Sequence, residues 1–515
     1  MQSSKLICNN FSGINRSSSL FSSSVITASD MQNVELFATG LNSGVGIRTA
    51  KGNVSVCDNV PEGEKVVDIY ECVQKQVTYF FVYTESSEQG KIYLLDPENG
   101  ELTLKVSGLT VTGKSCATPV SQGWSDLWVF SNGEEMLSVE IGKVDNNDEP
   151  DEVTMMQLTD MEDRTVKGLG IVVFDGRLWV FNNQILWYSV QENIYDFSTS
   201  DAEVTTSAGF IEFVKNITAI YPYLGSLAVF HSNSSCMIAL DESTQSYCKT
   251  YEWPGGCAGA KSLVFHGTQL FFYDNEKKGV YSFLQVINGD KTLGENIALD
   301  IQDEIFSISP ALVNDIKALS VVTSDKNEVW FLLPEEDKEH STIMIYDYLH
   351  KAWIKRKSQK INCFNVIDGI LYSAGNKIYR EYESSLFDGE FIGAFYNCTP
   401  LNFGVENSLK ILAYPPKVSM DMLNYHNNFY VKYERDYNAF TTKIRHITSK
   451  TFKDVLRFDR GSKWDETYFP PEKINVIKRL PSAYFKTLKI SFYTENKNQN
   501  FSISNIEFGK VKIKE

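Results

Sequence analysis

GRLWVFNNQILWYSV, residues 176–190, holds two short aromatic strands on either side of Asn182-Asn183. Aromatic and β-branched side chains suit a pleated, half-buried surface, and Asn is a turn former that tolerates a left-handed backbone. One such hairpin cannot bury its apolar face alone, so the fold depends on whether the pattern recurs.

It recurs six more times. The passages are VTYFFVYTESSEQGKIYLLDPENGELTLKV (77–106), DLWVFSNGEEMLSVEIG (126–142), GSLAVFHSNSSCMIAL (225–240), TQLFFYDNEKKGVYSF (268–283), NEVWFLLPEEDKEHSTIMIYDYLHKAWIKR (327–356) and GILYSAGNKIYREYE (369–383). Anchors at Tyr79, Leu127, Leu178, Leu227, Leu270, Val329 and Leu371 are spaced by 48, 51, 49, 43, 59 and 42 residues. A step of about 49 is close to the blade length of kelch-like propellers. Turn chemistry agrees: Asp96-Pro97-Glu98-Asn99-Gly100 and Ser131-Asn132-Gly133 put Pro and Gly where a tight turn needs them. A pair of β-sandwiches also fits short strands at regular spacing, but the fixed step favours blades packed radially. The expected architecture is an all-β propeller of about 6–7 blades. The longest step is put down to a polar loop, PEEDKEHS (334–341), on one face.

Outside the repeat the pattern changes. Residues 1–40, rich in Ser and Asn and without periodicity, read as an extended arm or a strand donated to a neighbour. Residues 41–390 are assigned to the propeller. Residues 391–515 contain Pro415-Pro416, the strand FYVKYERDY and a terminal hairpin, LKISFYTENKNQNFSISNIEFGKVKI, and read as a separate C-terminal β domain.

Composition bounds the class. The 515 residues are 43% hydrophobic, 13% aromatic and 22% charged, which supports a large folded core. The opening MQSSKLICNNFSGINRSSSLFSSS lacks the apolar stretch of a secretory signal, and no run is long enough to span a bilayer, so a soluble protein is expected. Nine scattered cysteines form no C-x-x-C pair and read as buried thiols in a reducing compartment. The formal net charge is −16, but residues 391–515 hold 20 Lys+Arg against 12 Asp+Glu, leaving 29 against 53 in residues 1–390. An acidic body with a basic end section is not the footprint of a dedicated nucleic-acid reader.

No template for catalysis is met. Propellers can house glycosidases with paired carboxylates, but of the candidates Asp126, Asp175, Asp241 and Asp368, all except Asp241 sit just before a blade strand, where turn formation accounts for them without catalysis. The six histidines, His231, His266, His340, His350, His426 and His446, show no metal-ligand spacing. GLNSGVG (40–46) reads as a turn because no helix pattern follows it. The acidic runs VDNNDEPDEV (144–153) and PEEDKE (334–339) lack calcium-loop spacing and read as solvated loops. Catalytic, cofactor-binding and metal residues are therefore all assigned as none, and no cofactor is expected.

Three passages carry a family resemblance: 176–198, 223–274 and 327–356. In the last, a strand and variable loop are followed by Ile345-Tyr346-Asp347 and then Trp353. With the terminal hairpin, this order resembles the tail-nozzle proteins of short-tailed bacteriophages, the packaged-DNA stabilisation (head-completion) and tail tubular protein B-like family. The likeness covers about residues 170–515, and the first 170 residues add the period but no family-specific string. The resemblance implies a non-enzymatic virion structural protein, assembled in the host cytoplasm into the phage tail. Its partners would be five further copies in a homohexameric ring, the portal and adaptor proteins, other tail proteins, and genomic DNA passing non-specifically through the channel, with no membrane span. Six chains at −16 each would carry −96, which disfavours adhesion of DNA in transit within the ~8 Å reach of unscreened charge. Two other readings stay open: a kelch-like adaptor binding proteins on a propeller face, and a carbohydrate-active propeller on a virion.

Overall fold

The computed structural model describes residues 6–8, 10–16, 25–39, 44–74, 76–122, 125–141, 152–200, 206–241, 243, 246–285, 291–335, 339–403, 408–412, 416–420, 428–436, 438–445, 474–477, 484–509 and 511–513. Among them the chain is almost entirely strand, with one α-helix of five residues, Gln302–Phe306.

Six four-stranded antiparallel sheets form a β-propeller. Blade 1 comprises Lys65–Gln74, Val77–Glu85, Gly90–Asp96 and Glu101–Leu109; blade 2 comprises Cys116–Gln122, Ser125–Ser131, Met136–Glu140 and Glu152–Met155. Blade 3 comprises Gly170–Phe174, Arg177–Asn182, Ile185–Tyr188 and Gly209–Glu212; blade 4 comprises Ile217–Tyr223, Ser226–His231, Ser235–Asp241 and Ser246–Trp253. Blade 5 comprises Leu263–His266, Gln269–Asp274, Gly279–Gln285 and Lys291–Leu293. Blade 6 takes three strands, Ile361–Ile367, Ile370–Gly375 and Ile378–Glu381, from the end of the repeat and its outer strand, Asn53–Cys57, from the beginning. A further meander, Lys317–Val322, Asn327–Leu333, His340–Asp347 and Ala352–Gln359, stands between blades 5 and 6. Its inner strand lies beside Leu263–His266 on one side and Ile361–Ile367 on the other, so the circle closes through it.

The repeat read from the sequence falls in register on this architecture. Every anchor, from Tyr79 to Leu371, stands on the second strand of its unit. That strand is wedged between neighbouring blades and is buried on both faces, which is why it reads as a continuous apolar run such as LWVF or LFFY instead of alternating. Aromatic rings lock adjacent blades. Phe81 of blade 1 stacks on Trp128 of blade 2 with centroids 4.3 Å apart, and Trp179 of blade 3 meets Tyr247 of blade 4 edge-on at 4.8 Å. Phe230 of blade 4 meets Phe272 of blade 5 at 5.1 Å, and Phe80 of blade 1 meets Tyr372 of blade 6 at 4.9 Å.

The longest step has a different source from the one expected. The end of PEEDKEHS, His340-Ser341, already belongs to a strand of the bridging meander, whereas the extra length lies between blade 5 and that meander, where Leu299–Ile301, Gln302–Phe306 and Val313–Asp315 form short helical turns. These bury Ile301, Ile305 and Val313 in the main core, so the insertion is packed rather than looped out.

The N-terminal segment also differs from expectation. Strand Asn10–Ile14 joins the outer strand of the bridging meander through the pair Ile14 and Trp353, and runs parallel to Val25–Gln32. That strand pairs with Phe395–Cys398, which continues to Leu488–Tyr493, Asn428–Arg435 and Asn438–Arg445. The hairpin Val34–Ala38 and Val45–Thr49 joins the same 16-stranded sheet, so the boundary expected at residue 40 falls inside a hairpin. The described residues among 1–40 thus serve this chain's own sheet. The reason is visible in the burial: Phe11, Ile14, Ile26, Ala28 and Met31 are each at most 2% exposed, while Ser12, Thr27, Ser29 and Asp30 between them are half-buried. The described residues among 391–515 add strands beyond the propeller, as expected, and share sheet and core with these N-terminal strands. Contact is close where the two parts meet: a Cβ on Gly13 would lie 2.2 Å from the carbonyl oxygen of Trp353.

Candidate functional site

Inner strands of a propeller splay around an axis and leave space there. At the end where these strands begin, the space widens into a cavity of about 660 Å³ to which all six blades or the segments leading into them, and the bridging meander, contribute. Three inner strands carry a β-bulge at this point. In blade 1 the register jumps from Val66 to Asp68, in blade 4 from Ile217 to Ala219, and in blade 6 from Ile361 to Cys363. The skipped residues, Val67, Thr218 and Asn362, all line the cavity. A bulge re-aims a side chain and releases backbone groups from the ladder. Here those groups are taken up: Lys317 Nζ donates to the Val67 carbonyl at 2.8 Å, and Asn362 Nδ2 donates to the Val66 carbonyl at 2.9 Å. Thr218 Oγ1 is buried with no hydrogen-bond partner.

A charged cluster sits in the wall. Asp68 lies 2.6 Å from Lys261 and 3.7 Å from Lys317, and accepts from the Ile69 amide at 3.1 Å and the Tyr70 hydroxyl at 3.3 Å. The Tyr70 hydroxyl also reaches Ser115 at 2.8 Å, and Lys261 Nζ stands 4.8 Å from the Tyr70 ring centroid. Burial pushes the Asp68 carboxyl up, but the two lysines outweigh it and hold it below the ordinary carboxylate range. Burial, then the neighbouring Asp68 charge, push the Tyr70 phenol well above its usual value. Glu85 accepts from the Thr112 and Gly113 amides at 3.0 and 2.9 Å and from Tyr83 Oη at 2.8 Å. Both buried carboxylates are occupied by donors, which equips them to hold the wall together and not to shuttle a proton.

The cavity is two-sided. Lys360 before blade 6, Asn362 of blade 6, Lys65 of blade 1 and Lys114 before blade 2 bring polar side chains to one arc of the wall. Blades 3 and 4 present Leu169, Phe181, Ile217 and Thr218, with no charged group. Sequence reasoning singled out none of these residues. A faint signal existed: a lysine stands 9 to 14 residues before the anchor in all seven repeats, and in five of them, at Lys65, Lys114, Lys261, Lys317 and Lys360, it lines the cavity.

The carboxylates considered from the sequence lie elsewhere and apart. Asp175 and Asp368 occupy the turns at the far ends of the inner strands, each with positive φ (54° and 49°) ahead of a glycine, the geometry of a hairpin turn. Asp175 accepts from the Tyr247 hydroxyl, and the Asp368 amide donates to Glu71 at 2.8 Å. Asp126 accepts from Ser121 Oγ at 2.7 Å and Asp241 from the Ser243 amide at 2.9 Å, in two further blades. His231 meets the Asn216 carbonyl at 3.0 Å, His266 the Ser320 hydroxyl at 2.9 Å, His340 Glu390 at 3.2 Å and His350 Asp347 at 2.7 Å. His426, His446, residues 144–151 and residues 336–338 lie outside the described residues. No group of three metal-ligating side chains occurs among the described residues. The part of GLNSGVG that is described belongs to a hairpin, with the Thr39 amide donating to the Gly44 carbonyl at 2.8 Å.

Eight of the cysteines are described as free thiols, six of them buried. Burial pushes Cys72 and Cys363 up to about 12 and Cys116, Cys236 and Cys257 up to about 11, so these groups stay protonated and unreactive at neutral pH. No helix among the described residues is long and apolar enough to cross a membrane.

Asp68→Asn tests the charged wall. It leaves Lys261 and Lys317 facing each other without their anion, and a loss of ~1–3 kcal/mol is expected, moderated because both lysines are partly exposed. Since the folded carboxyl titrates below its unfolded value of ~3.9, its contribution is complete above that pH and is lost as pH falls through the folded value. Urea midpoints of the two proteins should therefore differ at pH 7 and converge towards pH ~2; a constant gap would contradict the assignment.

Comparison with known proteins finds no family model that matches this chain and no curated relative similar to it in sequence.

Proposed function

We propose that the chain is a non-enzymatic structural subunit of a short-tailed phage tail nozzle, a ring of copies beneath the portal and adaptor that closes and conducts the DNA channel. The observation that supports this reading most is the joint built by the residues carrying the family likeness. Asp347 caps its turn by accepting from the His350 amide at 2.9 Å and from His350 Nδ1 at 2.7 Å. Tyr346 lies opposite Trp353, with rings 5.2 Å apart. Trp353 Nε1 donates to the Ile297 carbonyl at 2.6 Å, and Trp353 pairs with Ile14 of the N-terminal strand. These residues weld the propeller to the large sheet, giving the stiff two-part body that a wall element under pressure requires. The acidic balance of residues 1–390 suits a conduit to which DNA does not adhere.

The test is assembly. Light scattering on the purified chain, alone and mixed with portal and adaptor proteins, should give a ring visible by electron microscopy or a complex capping the portal. A chain that stays monomeric and joins no particle overturns the proposal. So does release of reducing sugar from host polysaccharide, which belongs to the carbohydrate-active reading.

A further inference from the structure

We infer that the axial cavity is a binding site for a small amphipathic organic anion, its charged group held by Lys65, Lys114 and Lys360 and its apolar part laid on Leu169, Phe181 and Ile217 beside Thr218. The inference is read from the single chain and does not rest on assembly.

Four observations lead to it. The volume of about 660 Å³ lies in the range of small-molecule sites, whose walls are mostly apolar with a few placed polar groups. The five lining lysines divide by task. Lys261 and Lys317 are engaged with Asp68 and Lys360 donates to the Glu335 carbonyl at 3.3 Å, whereas Lys65 and Lys114 are exposed residues. Among acidic lining residues, Asp68 and Glu85 are matched by cations or amides, leaving Asp315, before the bridging meander, and Glu335, whose carbonyl accepts from Lys360 Nζ at 3.3 Å. In a chain of net −16, a mouth with five lysines against four carboxylates is a local reversal of sign. Finally, the three bulges converge here and not at the opposite ends of the same strands, and each brings its skipped residue, Val67, Thr218 or Asn362, to the cavity wall. Bulges are over-represented beside binding sites because they turn a side chain out of the ladder.

The head group is an anion, carboxylate or phosphate, and the cation-bearing arc accepts either as a charge-assisted acceptor. The tail is short and apolar, because blades 3 and 4 offer no polar side chain other than Thr218.

Titration calorimetry and ligand-observed NMR on the full chain with octanoate, octyl phosphate, inorganic phosphate and octylammonium decide the matter. Binding of octanoate, octyl phosphate or both is expected, with inorganic phosphate weaker and octylammonium absent; the tighter of the two anions identifies the head group. The double variant Lys65→Gln/Lys114→Gln should weaken binding by about tenfold or more, with an unchanged melting curve because both side chains are exposed and no like charge is set opposite Glu85. Leu169→Ser should weaken the octyl ligands while leaving inorganic phosphate unaffected. Octylammonium binding as well as octanoate, an affinity unmoved by the double variant, or no binding up to ~10 mM would each overturn the inference.

Discussion

Arg356→Ala is expected to remove about 3–5 kcal/mol of stability and to lower the urea midpoint more than any exposed substitution. The guanidinium is 2% exposed and its partner Glu381 is fully buried, with Nη2 to Oε2 at 2.5 Å. Arg356 Nη1 also donates to the Lys51 carbonyl at 2.8 Å, and the cation lies 4.9 Å from the Phe387 ring centroid and 5.1 Å from that of Tyr382. Glu381 in turn accepts from Ser373 Oγ at 2.5 Å and Asn53 Nδ2 at 3.0 Å. Alanine strands a carboxylate in this setting, and the cost is that of an uncompensated buried charge more than of a lost contact. The double variant Arg356→Met/Glu381→Leu removes both charges and should recover a large part of the loss. A double variant as unstable as the single one would show that Arg356 acts through packing alone. The same corner holds a second ionic group, in which Glu35 bonds to Arg48 at 2.7 Å and to the buried Lys326, itself 3.5 Å from Glu328. N-terminal segment, bridging meander and blade 6 are thus pinned by charges whose geometry admits one arrangement.

Replacing Asn53–Cys57 by a Gly/Ser segment of equal length is the second large effect. This strand completes blade 6, pairing Cys57 with Ile378 and Val54 with Arg380. Its loss empties the place of Cys57 in the core shared by blades 6 and 1, removes the buried Asn53 amide from Gln359 and Glu381, and leaves the edge Ile378–Glu381 bare. A cost on the order of 5 kcal/mol is expected from the combined cavity and unpaired polar groups, with loss of a single cooperative melting transition. Hydrogen exchange provides the check: amides of residues 361–381 should lose protection first, and unchanged protection there would show that the circle does not depend on this strand.

The sequence was legible where structure is local. Each second strand announces itself, since LWVF at 127–130 and 178–181 is buried on both faces and its turn follows at once. NVSVC at 53–57 is equally a strand, yet its partner lies more than 300 residues on and nothing nearby marks the pairing. Phe11, Ile26 and Met31 are core residues embedded among Ser and Asn, so composition concealed them. The axial cavity was illegible for another reason. Each unit contributes only a few residues to it, and Val67, Thr218 and Asn362 look like ordinary strand positions until the register shift turns them inward.

Closure of blade 6 by its first-made strand also imposes a schedule on synthesis. Cys57 leaves the ribosome 321 residues before Ile378, its partner across the sheet, and at roughly 5–20 residues per second that interval lasts about 16–64 s. Throughout it, an apolar strand and the N-terminal strands of the large sheet wait without neighbours while five blades are completed after them. Such a chain is exposed to wrong pairings with other nascent copies, and its yield should depend on holding chaperones and on low growth temperature more than on the stability of the finished molecule.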